Sequence, residues 1–238
     1  MQISPYRGLI SAFINFLYPS DCPSCGKVPD DFRTAPFCST CWSGLERYNG
    51  PSCRICCTPF TSEDATICAE CIRQPPHFAN AVSFGLFDGT LATAIHFFKF
   101  HRVKRLHKPL GDLLSDFDLS GSDAVMPVPL SVRGLRERGF NQSLLIAKSL
   151  SEKTKIPLIM DGLLKITETS PQIGLSRTER RRNLKGAFMA DRKFPGMRLV
   201  LVDDVMTTCS TANECSKELL CAGAAEVRVL TLARANYL

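Results

Sequence analysis

The 238-residue chain has no apolar run approaching the ~18 residues a helix needs to cross a bilayer, so a helical membrane protein is not expected. The opening stretch ISPYRGLISAFINFLYPSDCPSC has one arginine, a short apolar segment and no small-residue cleavage site. An export signal is therefore not expected, and a cytoplasmic location is. Leu9, Phe13, Ile14 and Leu17 recur at helical spacing, which predicts a short helix packed on its own protein rather than a membrane anchor. The polar excess of a disordered chain and the glycine period of a fibrous one are absent too. At 45% hydrophobic and 22% charged residues, the composition is that of a globular protein with room for one large domain, or a small one joined to a medium one.

Charge is unevenly spread. Residues 1–76 carry 6 Lys/Arg against 7 Asp/Glu, whereas residues 131–193 carry 14 against 6. Attraction for phosphates is expected in the middle of the chain and not at its start.

Cysteine is the one residue type in clear excess, and it is concentrated. Nine of the 12 lie between Cys22 and Cys71, as CPSC (Cys22, Cys25), CSTC (Cys38, Cys41), CRIC (Cys53, Cys56) and CAEC (Cys68, Cys71), with Cys57 left over. A Cys-x-x-Cys pair on a tight turn aims two thiolates at one tetrahedral ion, and two pairs close a four-sulfur zinc site. Four pairs imply two sites. The offsets from Cys22 to Cys53 (31 residues) and from Cys41 to Cys71 (30) suggest a duplicated knuckle. Disulfides fit poorly in a chain without an export signal. Consecutive pairing of the ligands is the simplest arrangement, and a crossed one would leave the same sequence. An all-sulfur site has no open position, so the Zn²⁺ would be structural and Cys57 a spare thiol. Each site would carry a net charge of about −2 from its thiolates and ion, which makes this segment a poor clamp for nucleic acid. QPPHF (74–78) reads as a linker.

Near the other end stands LVLVDDVMTTCST (199–211). Four aliphatics in a row predict a strand buried on both faces, as in a parallel sheet. ANECSKELLCAG then predicts a helix stopped at Gly223, and AEVRVLTLAR another strand, completing a right-handed βαβ unit. Ligands of open α/β sheets bind where this loop lies, at the carboxyl ends of the strands. Thr207, Thr208, Ser210 and Thr211, with backbone N–H groups at a helix N-terminus, suit a phosphate dianion. Asp203 and Asp204 repel phosphate and need another partner, either a sugar diol or Mg²⁺ bridged through water. Phosphate at one end and a diol at the other describe a ribose 5-phosphate.

This stretch resembles the 5-phosphoribosyl pyrophosphate (PRPP) motif of type I phosphoribosyltransferases. The resemblance implies that the acids hold the ribose hydroxyls and that residues 206–211 (Met206, Thr207, Thr208, Cys209, Ser210, Thr211) hold the 5-phosphate. Cys209 stands where that family usually has glycine, which allows positive φ or a close approach of backbone to phosphate. At a helix N-terminus its thiol is expected to be acidified.

Two basic stretches lie between. MPVPLSVRGLRERGFNQS (126–143) leaves a strand beginning at Ala124 for what reads as an anion loop carrying Arg133, Arg136 and Arg138, followed by a helix, QSLLIAKSLSEKT. SPQIGLSRTERRRNLKGAFMA (170–190) carries Arg177, Arg180, Arg181, Arg182 and Lys185. In phosphoribosyltransferases the corresponding places hold a pyrophosphate loop and a loop that closes over bound PRPP and excludes water. With the zinc knuckles ahead of FGLFDGTLATAIHFFKFHRVKRLHKPLGDLL, the whole order resembles the ComF family of competence-associated proteins. RERGFNQ and PQIGLSRTERRRNLKGAF carry that resemblance most specifically, and Lys99 in HFFKF matches a family lysine.

The resulting expectation is an α/β protein: a type I phosphoribosyltransferase-like, mainly parallel sheet flanked by helices (77–238), preceded by a helix and a double zinc knuckle (1–76). The resemblance implies PRPP with Mg²⁺ at Asp203, Asp204, the 206–211 loop and Lys99. It implies pyrophosphate at Arg133, Arg136 and Arg138, and a closing loop or second anion at Arg177, Arg181 and Arg182. It further implies a part in uptake or processing of DNA during natural transformation, by transfer to an unknown acceptor. The alternatives are a non-catalytic PRPP-sensing module for single-stranded DNA, with Phe140 and Phe188 as stacking surfaces, or a docking module for a partner such as a competence helicase.

Overall fold

In the computed structural model, residues 21–62, 64–168 and 182–235 are described. The helix expected around residues 9–17, and Arg177, Arg180 and Arg181 of the second basic stretch, lie outside them. No helix among the described residues is long and apolar enough to cross a membrane.

The chain begins with two cysteine ribbons, each ending in a one-turn helix: α1 (Ser39–Ser43) and α2 (Ala69–Arg73). Both helices start at a ligand cysteine. Cys38 and Cys68 are the N-caps, and their sulfurs accept from the backbone N–H groups of Cys41 and Cys71. After the Pro75–Pro76 linker come β1 (Asn80–Leu86) and α3 (Gly89–Phe100), then a 3₁₀ turn (Lys104–Leu106) and α4 (His107–Asp112). Next are β2 (Ala124–Pro127), α5 (Val132–Arg138) and α6 (Gln142–Thr154). The chain continues with β3 (Leu163–Lys165), β4 (Phe188–Ala190), β5 (Arg198–Met206), α7 (Ser210–Cys221) and β6 (Glu226–Arg234).

Four strands form a wholly parallel sheet in the order β1-β6-β5-β2. β5 and β6 lie at its centre, which accounts for their unbroken apolar runs: Leu199 to Val202 are all buried. The side chains alternate between two cores. Val200, Val202 and Leu230 face Ile146 and Leu150 of α6 and Ile95 and Phe98 of α3. Leu199, Leu201, Val227 and Val229 face Cys215 and Leu219 of α7 and Phe194. β3 and β4 form a separate antiparallel pair.

The ribbons share these cores. Cys22, Phe37 and Cys38 of the first belong to the α3/α6 side, and Cys53, Cys56 and Cys71 of the second to the α7 side. The molecule is thus a mainly parallel α/β sheet with a ribbon docked into the core on either face.

A candidate phosphate loop beside a zinc ribbon

The ligand sulfurs group consecutively. Those of Cys22, Cys25, Cys38 and Cys41 lie within 4.8 Å of one another, and so do those of Cys53, Cys56, Cys68 and Cys71. Two sets of four thiols, each delivered by two turns, suit tetrahedral Zn²⁺ and close its coordination, so the sites are structural. Cys57 belongs to neither set. It has a positive φ of 47°, its sulfur lies 3.2 Å from Ser83 Oγ, and burial pushes its thiol up to about 11.

At the carboxyl end of β5 the two aspartates have different partners. Lys99, one residue before the end of α3, places Nζ 2.8 Å from Asp204 Oδ1, and both side chains are largely enclosed. Asp203 Oδ1 accepts from Ser143 Oγ, in the first turn of α6, at 2.8 Å and from the Asp204 N–H at 2.9 Å. Burial, then the neighbouring Asp204 charge, push the Asp203 carboxyl up to about 7, against the opposing pull of Lys99 and Ser143. No arginine among the described residues pairs with either acid.

The loop behind them turns sharply into α7 at Cys209, whose φ of 65° is left-handed. Glycine takes this conformation freely, whereas cysteine adopts it at a cost of about 1–2 kcal/mol. Thr208 Oγ1 and Ser210 Oγ hydrogen-bond each other at 2.8 Å. The expected acidification of Cys209 is reversed: contact with the Cys56 sulfur, and burial, push the thiol well above the ordinary range. Those effects outweigh the helix N-terminus.

The loop does not stand alone. The guanidinium of Arg234, the last residue of β6 and 3% exposed, donates to four oxygens. These are Cys56 O (3.1 Å) and Thr58 Oγ1 (2.7 Å) of the second ribbon, Met206 O (2.9 Å) and Thr207 O. The His77 N–H donates to Asn213 Oδ1 of α7 at 2.7 Å. Between ribbon and loop lies a cavity of about 590 Å³. It is bordered by Cys56, Thr58 and Cys68 on one side, Thr208, Cys209 and Ser210 on the other, and Arg182 and Lys185 at its exposed edge.

The first basic stretch differs from its expectation. It is the helix α5 and not an anion loop, because Ser131 caps it through the Gly134 N–H and Gly139 ends it at φ 78°. Arg133 is spent on Glu137, one turn on, at 2.7 Å, and Arg138 donates to Gln142 Oε1 at 3.3 Å; Arg136 is exposed. Phe140 and Phe188 are buried and offer no stacking surface, Phe140 packing on Phe98 at 5.3 Å. Ser143, Thr58 and Arg234 have no motif to mark them, although an arginine closing the apolar strand LTLAR is a visible anomaly.

A double zinc ribbon family matches residues 13–72. Competence protein F of Haemophilus influenzae is 33% identical over 225 residues, 90% of each chain. DNA utilization protein YhgH of Escherichia coli K12 is 34% identical over 205 residues, 83% of this chain and 89% of its own. Competence protein ComFC of Bacillus subtilis is 28% identical over 83% of each. Among solved structures, a glutamine PRPP amidotransferase from B. subtilis is similar over 52% of this chain and 25% of its own, a quarter of that enzyme's length, at 27% identity and a TM-score of 0.38. With a third of its residues identical to competence protein F across nine-tenths of both chains, this protein belongs to the ComF family of competence proteins.

Proposed function

We propose that the chain binds PRPP at the carboxyl end of β5 and serves DNA uptake or processing during natural transformation. One observation carries the ligand reading. Two adjacent carboxylates sit at the carboxyl end of β5, held by a lysine from α3 and a serine from α6, and lead straight into a hydroxyl-rich loop at the start of α7. Burying an acid pair is costly, and pre-positioning it for a sugar diol explains why the fold does so. In this reading Asp203 and Asp204 take the ribose hydroxyls, and the N–H groups and hydroxyls of 206–211 take the 5-phosphate. Carboxylates of this kind hold Mg²⁺ through water, and the ion supplies charge neutralisation at the pyrophosphate. Lys99 gives up its contact with Asp204 as the ligand arrives. The biological setting rests on the names of the relatives, which are competence and DNA utilization proteins.

A transfer at this site joins a nucleophilic acceptor to the anomeric carbon as the bond to pyrophosphate breaks. Positioning and electrostatics supply the rate, with no covalent enzyme intermediate. Arg182 and Lys185 stand at the cavity edge, and in this reading they attract the leaving or entering anion. Calorimetry with Mg-PRPP tests the reading. The parent chain is expected to bind, and Asp203→Asn/Asp204→Asn to lose most of the affinity; an absence of heat from the parent sinks the proposal. Pyrophosphate release on mixing with candidate bases or DNA then separates a transferase from a sensor.

One feature favours a second role, PRPP-dependent binding of single-stranded DNA. Phe100, 58% exposed at the end of α3, lies 5.8 Å from the Arg138 guanidinium and packs at a tilt on the His96 ring, 4.8 Å between centres, an exposed aromatic beside a cation. Affinity for a short single strand should then fall steeply with salt and fall further in Phe100→Ala.

A further inference from the structure

Arg234 is a buried cation with no carboxylate partner among the described residues. Its four hydrogen-bond acceptors are three backbone carbonyls and one hydroxyl, divided evenly between the second ribbon (Cys56, Thr58) and the start of the phosphate loop (Met206, Thr207). A guanidinium in that position needs counter-charge as well as acceptors. The adjoining second site supplies it once metallated, since four thiolates and one Zn²⁺ leave a net charge of about −2. Zinc also fixes the acceptors. The turn that delivers Cys53 and Cys56 is closed by Cys53 N–H to Thr58 O (2.9 Å) and Cys57 N–H to Cys53 O (2.8 Å), so the ion that pins the cysteines pins Cys56 O and Thr58 with them.

The other half of the fork acts on the loop. In a trans peptide the C=O and the following N–H point in opposite directions. Holding the carbonyls of Met206 and Thr207 on Arg234 therefore sets the orientation of the peptide N–H groups that follow them in the loop. Cys209 adds a second contact across the same seam, its thiol against the Cys56 sulfur. The first ribbon has no such bridge to the loop among the described residues. Its side-chain tie is Arg105 Nε to Ala35 O (2.8 Å), at the far side of the sheet.

We infer that Arg234 is a positioning residue that couples the second zinc site to the phosphate loop, so that Zn²⁺ at Cys53/Cys56/Cys68/Cys71 and the phosphate of PRPP each tighten the binding of the other. The inference rests on the PRPP reading of the loop. Reciprocity follows from linkage: whatever factor zinc adds to ligand affinity, the ligand adds to zinc affinity.

The test follows chelator-driven zinc loss from the full-length chain, with and without saturating Mg-PRPP, alongside calorimetry. The two ions are expected to separate kinetically. The one missing from a Cys68→Ser variant should leave about tenfold more slowly when PRPP is bound, and the other should be indifferent. In Arg234→Lys, which keeps the charge but cannot reach four acceptors, zinc content stays at two, PRPP affinity falls about tenfold and the protection disappears. Thr58→Val removes one acceptor and guards against misfolding of the arginine variant; it should show the same two losses, each a few-fold. If the parent binds PRPP with heat but loses both ions at unchanged rates, the coupling is refuted and the PRPP site stands. If the parent shows no heat, both readings fall.

Discussion

Asp203 is a carboxylate that the ligand-free fold holds at a cost. Its folded pKa of about 7 lies above the ordinary 3.8, because burial and the Asp204 charge oppose ionisation. Between those values the folded chain keeps a proton that the unfolded chain has released. Stability from this group is therefore greatest below pH 4, falls as pH rises toward 7, and stays low beyond. Asn at 203 keeps the oxygen that accepts from Ser143 and the Asp204 N–H, and removes only the charge. Asp203→Asn should thus melt several degrees above the parent at pH 8, with the gap closing toward pH 4.5, while PRPP binding is lost. Equal gaps at both pH values would show that the charge is not what the site strains against. The same scale shows what a sequence can reveal. Asp203, Asp204 and the hydroxyl loop are legible because they are contiguous. Arg234 is not, because its partners Cys56 and Thr58 lie 178 and 176 residues away and three of its four acceptors are carbonyls, which every residue has.

Elements with strong periodicity or long apolar runs matched their expectation closely. β5, α7 and β6 follow from LVLV, the Gly223 stop and the closing Val/Leu run. α5 was hidden by its arginines and glycines, which suggest a loop; a serine cap, a terminal glycine and one Arg133–Glu137 pair are enough to form two turns. β3 and β4 are three residues each, too short to show an alternation. The packing of α4 on α6, which carries Ser143, has no sequence signature beyond Gly111. A Cβ there would lie 2.5 Å from Ser149 Cβ and 3.2 Å from Ile146 O, a clash with atoms that cannot rotate away. Alanine gains about 1 kcal/mol in helix propensity but forces the helices apart at about 1–3 kcal/mol or more. Gly111→Ala should therefore lower the melting temperature by a few degrees and, by shifting Ser143, weaken PRPP binding. A rise in melting temperature would mean the helices separate freely.

At the scale of the molecule, the cysteine spacing announces two metal sites but not where the ribbons dock. Spacing is a local property, and docking is decided by residues such as Phe37, wholly buried between Trp42 of its own ribbon (6.0 Å between ring centres) and Phe97 of α3 (5.7 Å). That ring sits in one continuous core with Phe98, Leu110 and Val200, while Cys53, Cys56 and Cys71 share the opposite core with Leu201 and Leu219. Ribbons that were merely appended would unfold on chelation and leave the sheet's melting unchanged. Ribbons that complete both cores cannot, because losing either one exposes the apolar surface it covers. Zinc ligation of this kind contributes folding free energy outright. Calorimetry of the zinc-loaded chain should accordingly show one cooperative transition, and stripping the zinc should move that whole transition down by about 10 °C or more. Phe37→Ala should lower it too with zinc content still at two, at a cost of about 3–5 kcal/mol, since the variant cuts the packing and leaves the ligands in place. A small low-temperature transition that appears on chelation while the main one stays put would show instead that the sheet and its phosphate loop stand without the ribbons.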